Sequence, residues 1–336
     1  MSSKIVRRYF LPIVCVFTSA ALAPSYAGPS PSGSGPAWAS LAPVPSVGGP
    51  GVGGVEGMSV AQLGDKIVAA LGFDNFSGDT ATTRIYRIAS NTWLANGADA
   101  PGSSSEGAGT SHANLFYSVG GRGASGARAD LWSYDLASDT WTVLASMSQG
   151  RAGLGIAVVG NSLYAIGGRT STGGPCTGGP LSSVERYDVD TDTWSSVASL
   201  PSARSDLAAA TVGGKIYVFG GCDAAGAFLH DVDVYDPETD TWSTAPTDMP
   251  TARAGMYAVA RKGGTVYVIG GWAGGPPLST NESYKASTDT WTTGLLPMPT
   301  PRAEAGAVGT GGGIYIVGGS QPAFGASVDA NEVFKP

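Results

Sequence analysis

The sequence predicts an all-β fold, a six-bladed β-propeller with four antiparallel strands in each blade. Three recurring features along the 336 residues support this prediction. The first is a glycine pair that ends an aliphatic strand, found at Gly120–Gly121, Gly167–Gly168, Gly220–Gly221, Gly270–Gly271 and Gly318–Gly319. The second is an aromatic residue in the following strand, found at Tyr86, Tyr134, Tyr187, Tyr235, Tyr284 and Phe334. The third is a tryptophan, found at Trp38, Trp93, Trp141, Trp194, Trp242 and Trp291. A period close to fifty residues with four strands per unit is typical of a propeller blade.

The fourth unit shows the blade pattern in its clearest form. Leu207–Val212 and Lys215–Phe219 are short apolar strands, and the second of them ends at a glycine pair. Val232–Tyr235 alternates acidic and apolar residues, which is typical of a half-buried strand. Asp236–Asp240 has the residues of a tight turn. In the first unit we expect a degenerate glycine site at Gly72–Phe73.

This pattern resembles the kelch repeat. The residues that carry the resemblance are the glycine pair after an aliphatic strand, as in Tyr217–Gly221, and the Tyr-Asp and Thr-Trp pairs of Tyr235–Trp242. The resemblance extends from Trp38 to Phe334 and implies a propeller of kelch repeats. Because propellers host many unrelated activities, the function has to be argued from the site.

The first 27 residues have the features of a secretory signal peptide. A basic start is followed by the apolar segment Phe10–Ala23, which is too short to span a bilayer, and by small residues around Ala27. Residues 28–36 consist of glycine, proline and serine without a charge, and we interpret them as a flexible linker. The propeller then occupies residues 37–336. We expect a secreted, periplasmic or extracellular protein with no membrane insertion after signal cleavage.

The order of the recurring residues predicts how the ring closes. Trp38 precedes the first glycine site, whereas Phe334, the last aromatic residue, has no tryptophan after it. We therefore expect the strand around Ala37–Leu41 to complete the last blade and to cover strand edges that would otherwise be exposed.

A ligand site is expected on one particular face of the propeller. The second-to-third loops and the blade-to-blade loops share this face, called the loop face below, and they vary in length, as binding loops do. Four blades have an arginine at the start of the first strand, namely Arg151, Arg204, Arg253 and Arg302. Counting back in the same way gives Glu56 in blade one, and either Ser104 or Glu106 in blade two.

Two interpretations of these arginines remain open. In the structural one, each guanidinium caps loop carbonyls or pairs with an acid such as Asp206 or Glu304. In the functional one, the arginines bind carboxylates, which suit planar guanidinium groups. The resemblance implies the second role, because kelch propellers that bind acidic peptides use arginines at this position. The site candidates are then Arg151, Arg204, Arg253, Arg302, Glu56, Glu106 and Trp272, the last because it opens a loop on the loop face.

The cysteines and histidines limit the chemistry. After signal cleavage only Cys176 and Cys222 remain, in second-to-third loops of adjacent blades. A disulfide between them would tie the blade-three loop to blade four, provided that their Cα atoms lie within about 7 Å. The only two histidines, His112 and His230, are expected on opposite faces. This argues against the copper–radical oxidases built on a similar propeller and against a metal site.

We interpret the chain as an exported module that binds a protein, a peptide or an anionic carbohydrate, without a catalytic residue or cofactor, and as a monomer. The alternative is a carbohydrate-modifying enzyme such as a sialic-acid mutarotase, an epimerase-type activity found in six-bladed kelch-like propellers. In that family a glutamate follows one glycine site. Here the residues after the six glycine sites are Asp74, Arg122, Arg169, Cys222, Trp272 and Ser320, so that the glutamate of that family is missing. The net charge of −7 gives no basic surface for nucleic acid.

Overall fold

The computed structural model describes residues 35–46, 54–171, 173–321 and 327–336. These residues form strands, turns and bends, and none of them lies in a helix. Accordingly, no helix in the described part of the chain could cross a lipid bilayer. The predicted signal peptide and nearly all of the predicted linker lie outside the described residues.

The strands are short, mostly of five residues, and their bounds follow in chain order. The first ten are β1 (Ala37–Ser40), β2 (Val55–Glu56), β3 (Ser59–Leu63), β4 (Lys66–Ala70), β5 (Phe73–Asp74), β6 (Gly78–Asp79), β7 (Thr83–Arg87), β8 (Thr92–Trp93), β9 (Ala108–His112) and β10 (Leu115–Val119). The next ten are β11 (Arg122–Gly123), β12 (Gly126–Ala127), β13 (Leu131–Asp135), β14 (Thr140–Leu144), β15 (Gly155–Val159), β16 (Ser162–Ile166), β17 (Val184–Asp188), β18 (Thr193–Val197), β19 (Ala208–Val212) and β20 (Lys215–Phe219). The last nine are β21 (Val232–Asp236), β22 (Thr241–Thr244), β23 (Tyr257–Arg261), β24 (Thr265–Ile269), β25 (Asn281–Lys285), β26 (Thr290–Thr292), β27 (Gly306–Thr310), β28 (Gly313–Val317) and β29 (Asn331–Lys335).

Six four-stranded antiparallel sheets form the blades. From the inner strand outward they are β3-β4-β7-β8, β9-β10-β13-β14, β15-β16-β17-β18, β19-β20-β21-β22, β23-β24-β25-β26 and β27-β28-β29-β1. Each inner strand contacts the inner strand of the next blade, and β27 contacts β3, so that the ring is closed. The small sheets β2-β5-β6 and β11-β12 lie in the loops of blades one and two. The six-bladed propeller predicted from the sequence is confirmed.

The N-terminal strand completes the last blade. Strand β1 pairs antiparallel with β29, with Trp38 opposite Phe334. The two rings lie 5.0 Å apart, which matches the Tyr235–Trp242 distance of 5.0 Å in blade four. The first described strand and the last strand of the chain therefore share one sheet, as the order of tryptophans predicts.

Aromatic side chains join neighbouring blades. In each blade the indole N–H of the outer-strand tryptophan donates to a backbone carbonyl of the preceding blade or its outgoing loop. For example, Trp194 donates to Ala145 at 2.7 Å and Trp242 donates to Ala198 at 2.8 Å. The third-strand tyrosines are fully buried beside these tryptophans. The predicted aromatic interfaces between blades are confirmed.

The glycine pair has a geometric reason. Gly220 and Gly221 have φ values of 49° and 95°, which side chains with a Cβ rarely adopt. The N–H of Gly221 donates to the carbonyl of Arg253 in the next blade at 3.0 Å. In blade one the same conformation occurs at Leu71 and Gly72, with φ values of 67° and 99°. The expected degenerate site at Gly72–Phe73 is therefore wrong by one residue, because a leucine takes the place of the first glycine.

Candidate functional site at the channel mouth

The four predicted arginines lie inside the blades. Each has 0 % of its surface exposed and donates to a carboxylate on the third strand of its own blade. The pairs are Arg151–Glu185, Arg204–Asp233, Arg253–Glu282 and Arg302–Glu332, with N–O distances of 2.6, 2.8, 2.6 and 2.6 Å. Their guanidinium groups also donate to backbone carbonyls of the same blade, as Arg253 does to Val268 at 3.1 Å.

The expected basic arc at the channel mouth therefore does not form. These arginines are desolvated and their charges are already neutralised, so that an external carboxylate cannot reach them. Their partners are third-strand acids, and Arg204 also pairs with Asp231 just before that strand, at 2.5 Å. Neither Asp206 nor Glu304 pairs with these four arginines within the described residues. We exclude the four arginines from the candidate site and assign them to the stability of the blades.

Blades one and two lack this buried pair. The second glycine of each blade donates to the carbonyl at the arginine position of the next blade, and the acceptors are Val55, Ser104, Arg151, Arg204, Arg253 and Arg302. Ser104 thus agrees with the strict count in blade two, and Val55 takes the arginine position in blade one. Glu56 lies one residue beyond that position and Glu106 two residues beyond it, and both still reach the loop face.

Six residues, one from each blade, form a closed ring of backbone hydrogen bonds at the loop-face end of the channel. This mouth ring consists of Gly57, Glu106, Gly153, Asp206, Gly255 and Glu304. Each N–H donates to the carbonyl of the preceding member at 2.7–3.1 Å. All six have φ between 53° and 62°, a region that favours glycine. Glycine and acidic residues alternate, so that three carboxylates are held at one end of the channel.

Two arginines from the loops bind one part of this acidic ring. Arg169 is buried and forms salt bridges with both Glu106 and Asp206. Arg122 reaches the other oxygen of Glu106, with Nε 2.9 Å from Oε1. Arg122 and Arg169 each follow a glycine pair directly, which places them on the loop face. Glu106 is therefore held by two guanidinium groups and Asp206 by one.

A cavity of about 410 Å³ opens beside the mouth ring, and we call it the mouth pocket. Its lining includes Glu56, Phe73, Glu106, Arg122, Pro175 and Glu304. The carboxylates of Glu56 and Glu304 form no salt bridge within the part of the chain that the structure describes. The Oε2 atom of Glu56 is buried and has no hydrogen-bond partner there. A pocket of this size is within the range of small-ligand and side-chain binding sites.

The carboxyl groups of the pocket hold protons more tightly than ordinary glutamates. Burial and the negative charge of Glu106 raise the pKa of Glu56 to about 6, against a hydrogen bond from Ser320 and the charge of Arg122, which lower it. Burial raises the pKa of Glu304 well above its ordinary value, and the charges of Glu106, Asp206 and Glu56 add to this effect. Burial also raises the pKa of Glu106, although Arg169 and Arg122 oppose the rise.

The two cysteines form a disulfide, with a Cα–Cα distance of 5.4 Å. It ties the blade-three loop to blade four beside Asp206, whose Oδ2 accepts a hydrogen bond from the N–H of Cys176 at 2.9 Å. The same loop supplies Pro175 to the mouth pocket. Cys176, Cys222 and Asp206 are also the one group in the described residues whose possible ligand atoms lie within 4.8 Å of one another. Because the two sulfur atoms are bonded together, they are not thiolate ligands for a metal.

The remaining predicted residue, Trp272, lies on the loop face but outside the mouth pocket. Its ring packs edge-on against Phe228 at 5.0 Å, and its indole N–H donates to Gly275 at 2.7 Å. His112 lies at the opposite face and interacts with Asn161. His230 lies 3.7 Å from Asp248.

Sequence reasoning identified Glu56 and Glu106 and missed Phe73, Arg122, Arg169 and Glu304 as site residues. A register signal could have identified the mouth ring, since its members lie two residues after the arginine position. The same register could have identified Phe73. The residue that follows the arginine position forms a β-bridge with the residue that follows a glycine site, as in Glu56–Phe73, Ser105–Arg122 and Ala152–Arg169. The residue after the first glycine site is therefore Phe73, and Asp74 was the wrong counterpart.

Comparisons with known proteins agree with this geometry. Residues 109–319 match the family model described as the KLHDC2/KLHL20/DRC7 Kelch-repeats domain. Over 109 residues the chain is 38 % identical to Kelch-like protein 25 of Homo sapiens, covering 31 % of this chain and 18 % of the relative. Over 97 residues it is 38 % identical to human Kelch-like protein 35, covering 29 % of this chain and 16 % of the relative. The matched segments thus span less than a fifth of the length of these relatives.

Proposed function

Because the chain belongs to the kelch-repeat family, we propose that it is an exported binding module that holds a protein or peptide ligand at the mouth pocket. One observation carries this proposal. The pocket is built from loops of several blades and contains two carboxylates, those of Glu56 and Glu304, without an ion-pair partner in the described residues. Groups that a fold leaves unpaired in a cavity are available to a ligand.

Export is supported by the sequence of residues 1–27, which has a basic start, an apolar stretch and small residues before Gly28. The disulfide between Cys176 and Cys222 fits the oxidising environment of the secretory route. Together these features favour a ligand outside the cytoplasm.

The geometry favours binding over sugar chemistry. An anionic sugar would need the exposed arginines that the sequence suggested, and these are buried in pairs inside the blades. The arginines that do reach the mouth, Arg122 and Arg169, are bound to Glu106. The mutarotase alternative therefore loses its anion-binding residues.

A peptide-display selection against the mature chain, residues 28–336, tests the proposed function. We expect selected peptides to bind the propeller and to lose most of their affinity when Phe73→Ala and Glu56→Gln are combined. The matched control is Glu238→Gln, an exposed glutamate in a third-to-fourth turn on the opposite face. A failure to select any binder, or binders that the control affects as much as the pocket variant, would contradict a binding site at the mouth pocket.

A further inference from the structure

We propose that the mouth pocket binds a cationic side chain, the guanidinium of an arginine or the ammonium of a lysine, carried by the peptide ligand. This inference rests on the proposed function and specifies the class of ligand. It reverses the expectation of an acidic or anionic partner, because the charge available at the mouth is negative.

A charge count of the site supports a cationic ligand. Glu106 and Asp206 share Arg169 and Arg122, so that these four residues balance. Glu56 and Glu304 add two carboxyl groups to which the described residues supply no salt-bridge partner. When both are ionised, the site has an excess of two negative charges. The net charge of −7 on the whole chain also favours a basic ligand.

The spacing of the carboxylates favours an organic cation over a metal ion. A metal needs several ligand atoms around a single point. Within the described residues, the carboxylates of Glu56, Glu106 and Glu304 do not form a group whose oxygen atoms lie within 4.8 Å of one another. A guanidinium or an ammonium group presents donors in several directions and can bind carboxylates that are further apart.

The walls of the pocket suit the aliphatic stem of a basic side chain. Phe73 and Pro175 line the pocket, and Arg122 already lies 5.5 Å from the centre of the Phe73 ring. Phe76, in the same loop as Phe73, is 59 % exposed and offers apolar surface to flanking residues of a peptide. An arginine or lysine buries its methylene groups against such surfaces while its charged end contacts carboxylates.

The unpaired oxygen of Glu56 gives the interaction its energetic basis. A buried acceptor without a partner is costly, and a charge-assisted hydrogen bond from a ligand removes that cost. Binding should also favour the ionised forms of Glu56 and Glu304, which burial and mutual repulsion disfavour in the free protein. We therefore expect tighter binding above about pH 6 than below it.

The experiment measures binding of short capped peptides by isothermal titration calorimetry with the mature chain. The probes are an Arg-containing peptide, its citrulline counterpart, a Lys-containing peptide and its acetyl-lysine counterpart. At pH 8 we expect each cationic peptide to bind at least tenfold more tightly than its neutral counterpart. At pH 5 the ratio should fall below about threefold, because Glu56 and Glu304 take up protons.

Two variants and a free amine complete the design. Glu56→Gln and Glu304→Gln should each remove most of the preference for the cationic peptides, whereas Glu238→Gln should retain it. Thermal melting would check that every variant is folded. Equal binding of citrulline and arginine peptides, or a preference unchanged in both pocket variants, would overturn the inference. So would agmatine binding as tightly as the arginine peptide, because the ligand would then be a small amine.

The inference and the proposed function fail separately. If display selects acidic or neutral peptides that still lose affinity in the pocket variants, the binding module stands and the cationic ligand is wrong. If no peptide class binds at the pocket, both are wrong.

Discussion

Replacement of Arg253 by methionine tests the structural role of the buried arginines. Arg253 is fully buried, and its Nη1 lies 2.6 Å from Oε2 of Glu282. The same guanidinium donates to the carbonyls of Thr251 and Val268 at 2.9 and 3.1 Å. In the Arg253→Met variant, the only side-chain donor that the described residues supply to the Glu282 carboxylate is the Thr251 hydroxyl, at 2.9 Å.

The expected loss of stability follows from this geometry. Breaking one partner of a buried ion pair costs about 3–5 kcal/mol, because the remaining charge is buried and unpaired. A domain of about 300 residues has an unfolding entropy of roughly 0.6 kcal/mol per kelvin, so that we expect Tm to fall by about 5–8 °C. The double variant Arg253→Met, Glu282→Leu removes the unpaired charge and should recover most of this loss.

Thermal and urea denaturation at pH 7 would measure both variants, and calorimetry would measure peptide binding well below Tm. We expect the double variant to bind its peptides as the unchanged protein does, since Arg253 does not reach the mouth pocket. The argument would be refuted if the single variant melted within about 1 °C of the unchanged protein. A folded double variant that no longer binds its peptides would show that Arg253 takes part in ligand binding.

Three further predictions concern the pocket, the closure and the disulfide. The pKa of Glu56 is raised to about 6, so that the fold is stabilised while this carboxyl is protonated, fully below about pH 4.5, and loses that stability as the pH rises through 6. Glu56→Gln should therefore raise the free energy of unfolding by about 2 kcal/mol and Tm by about 3 °C at pH 8, and should change neither at pH 4. Deletion of residues 35–43 removes β1 and the Trp38 contact, and should lower Tm by at least about 5 °C; an unchanged melting curve would refute closure by this strand. The Cys176–Cys222 disulfide closes a segment with a sequence separation of 46. Its reduction should lower the free energy of unfolding by up to about 4 kcal/mol and Tm by roughly 6 °C, which melting curves with and without a reductant would measure.

The fold could be predicted from the sequence because each blade repeats residues with strict geometric roles. At Gly220–Gly221 both φ values are positive, and a Cβ at Gly220 would lie 2.6 Å from the carbonyl oxygen of Arg253 in the next blade, so that glycine is favoured there. The tryptophan and tyrosine of each blade fill the same place between neighbouring sheets. A pattern that recurs in this way determines strand order, register and closure together.

The arginines show why the site could not be predicted equally well. Spacing correctly placed Arg151, Arg204, Arg253 and Arg302 at one position of the blade. It could not reveal which way a side chain turns or which acid it meets. The partners are third-strand residues such as Glu185, which lie about thirty positions further along the chain, as the separation of 34 between Arg151 and Glu185 shows. A guanidinium at a strand start is compatible with both a surface site and an internal ion pair, and burial decides between them.

The two blades that depart from the repeat build most of the mouth pocket. Blade one has Leu71 in place of a glycine and Val55 in place of the arginine, and its third strand has Arg84 where blades three to six have an acid. Arg84 is buried and donates instead to the carbonyls of Pro45 and Leu71.

Blade two has Ser104 and Trp132 at the two positions of the pair, so that it also lacks the internal salt bridge. Glu56 and Phe73 of blade one and Glu106 and Arg122 of blade two line the pocket. Residues that break a repeat without a structural need are expected at functional sites, because the regular blades already provide the stability. The location of the irregular blades is thus an argument, independent of charge, that the ligand binds between blades one and two at the mouth ring.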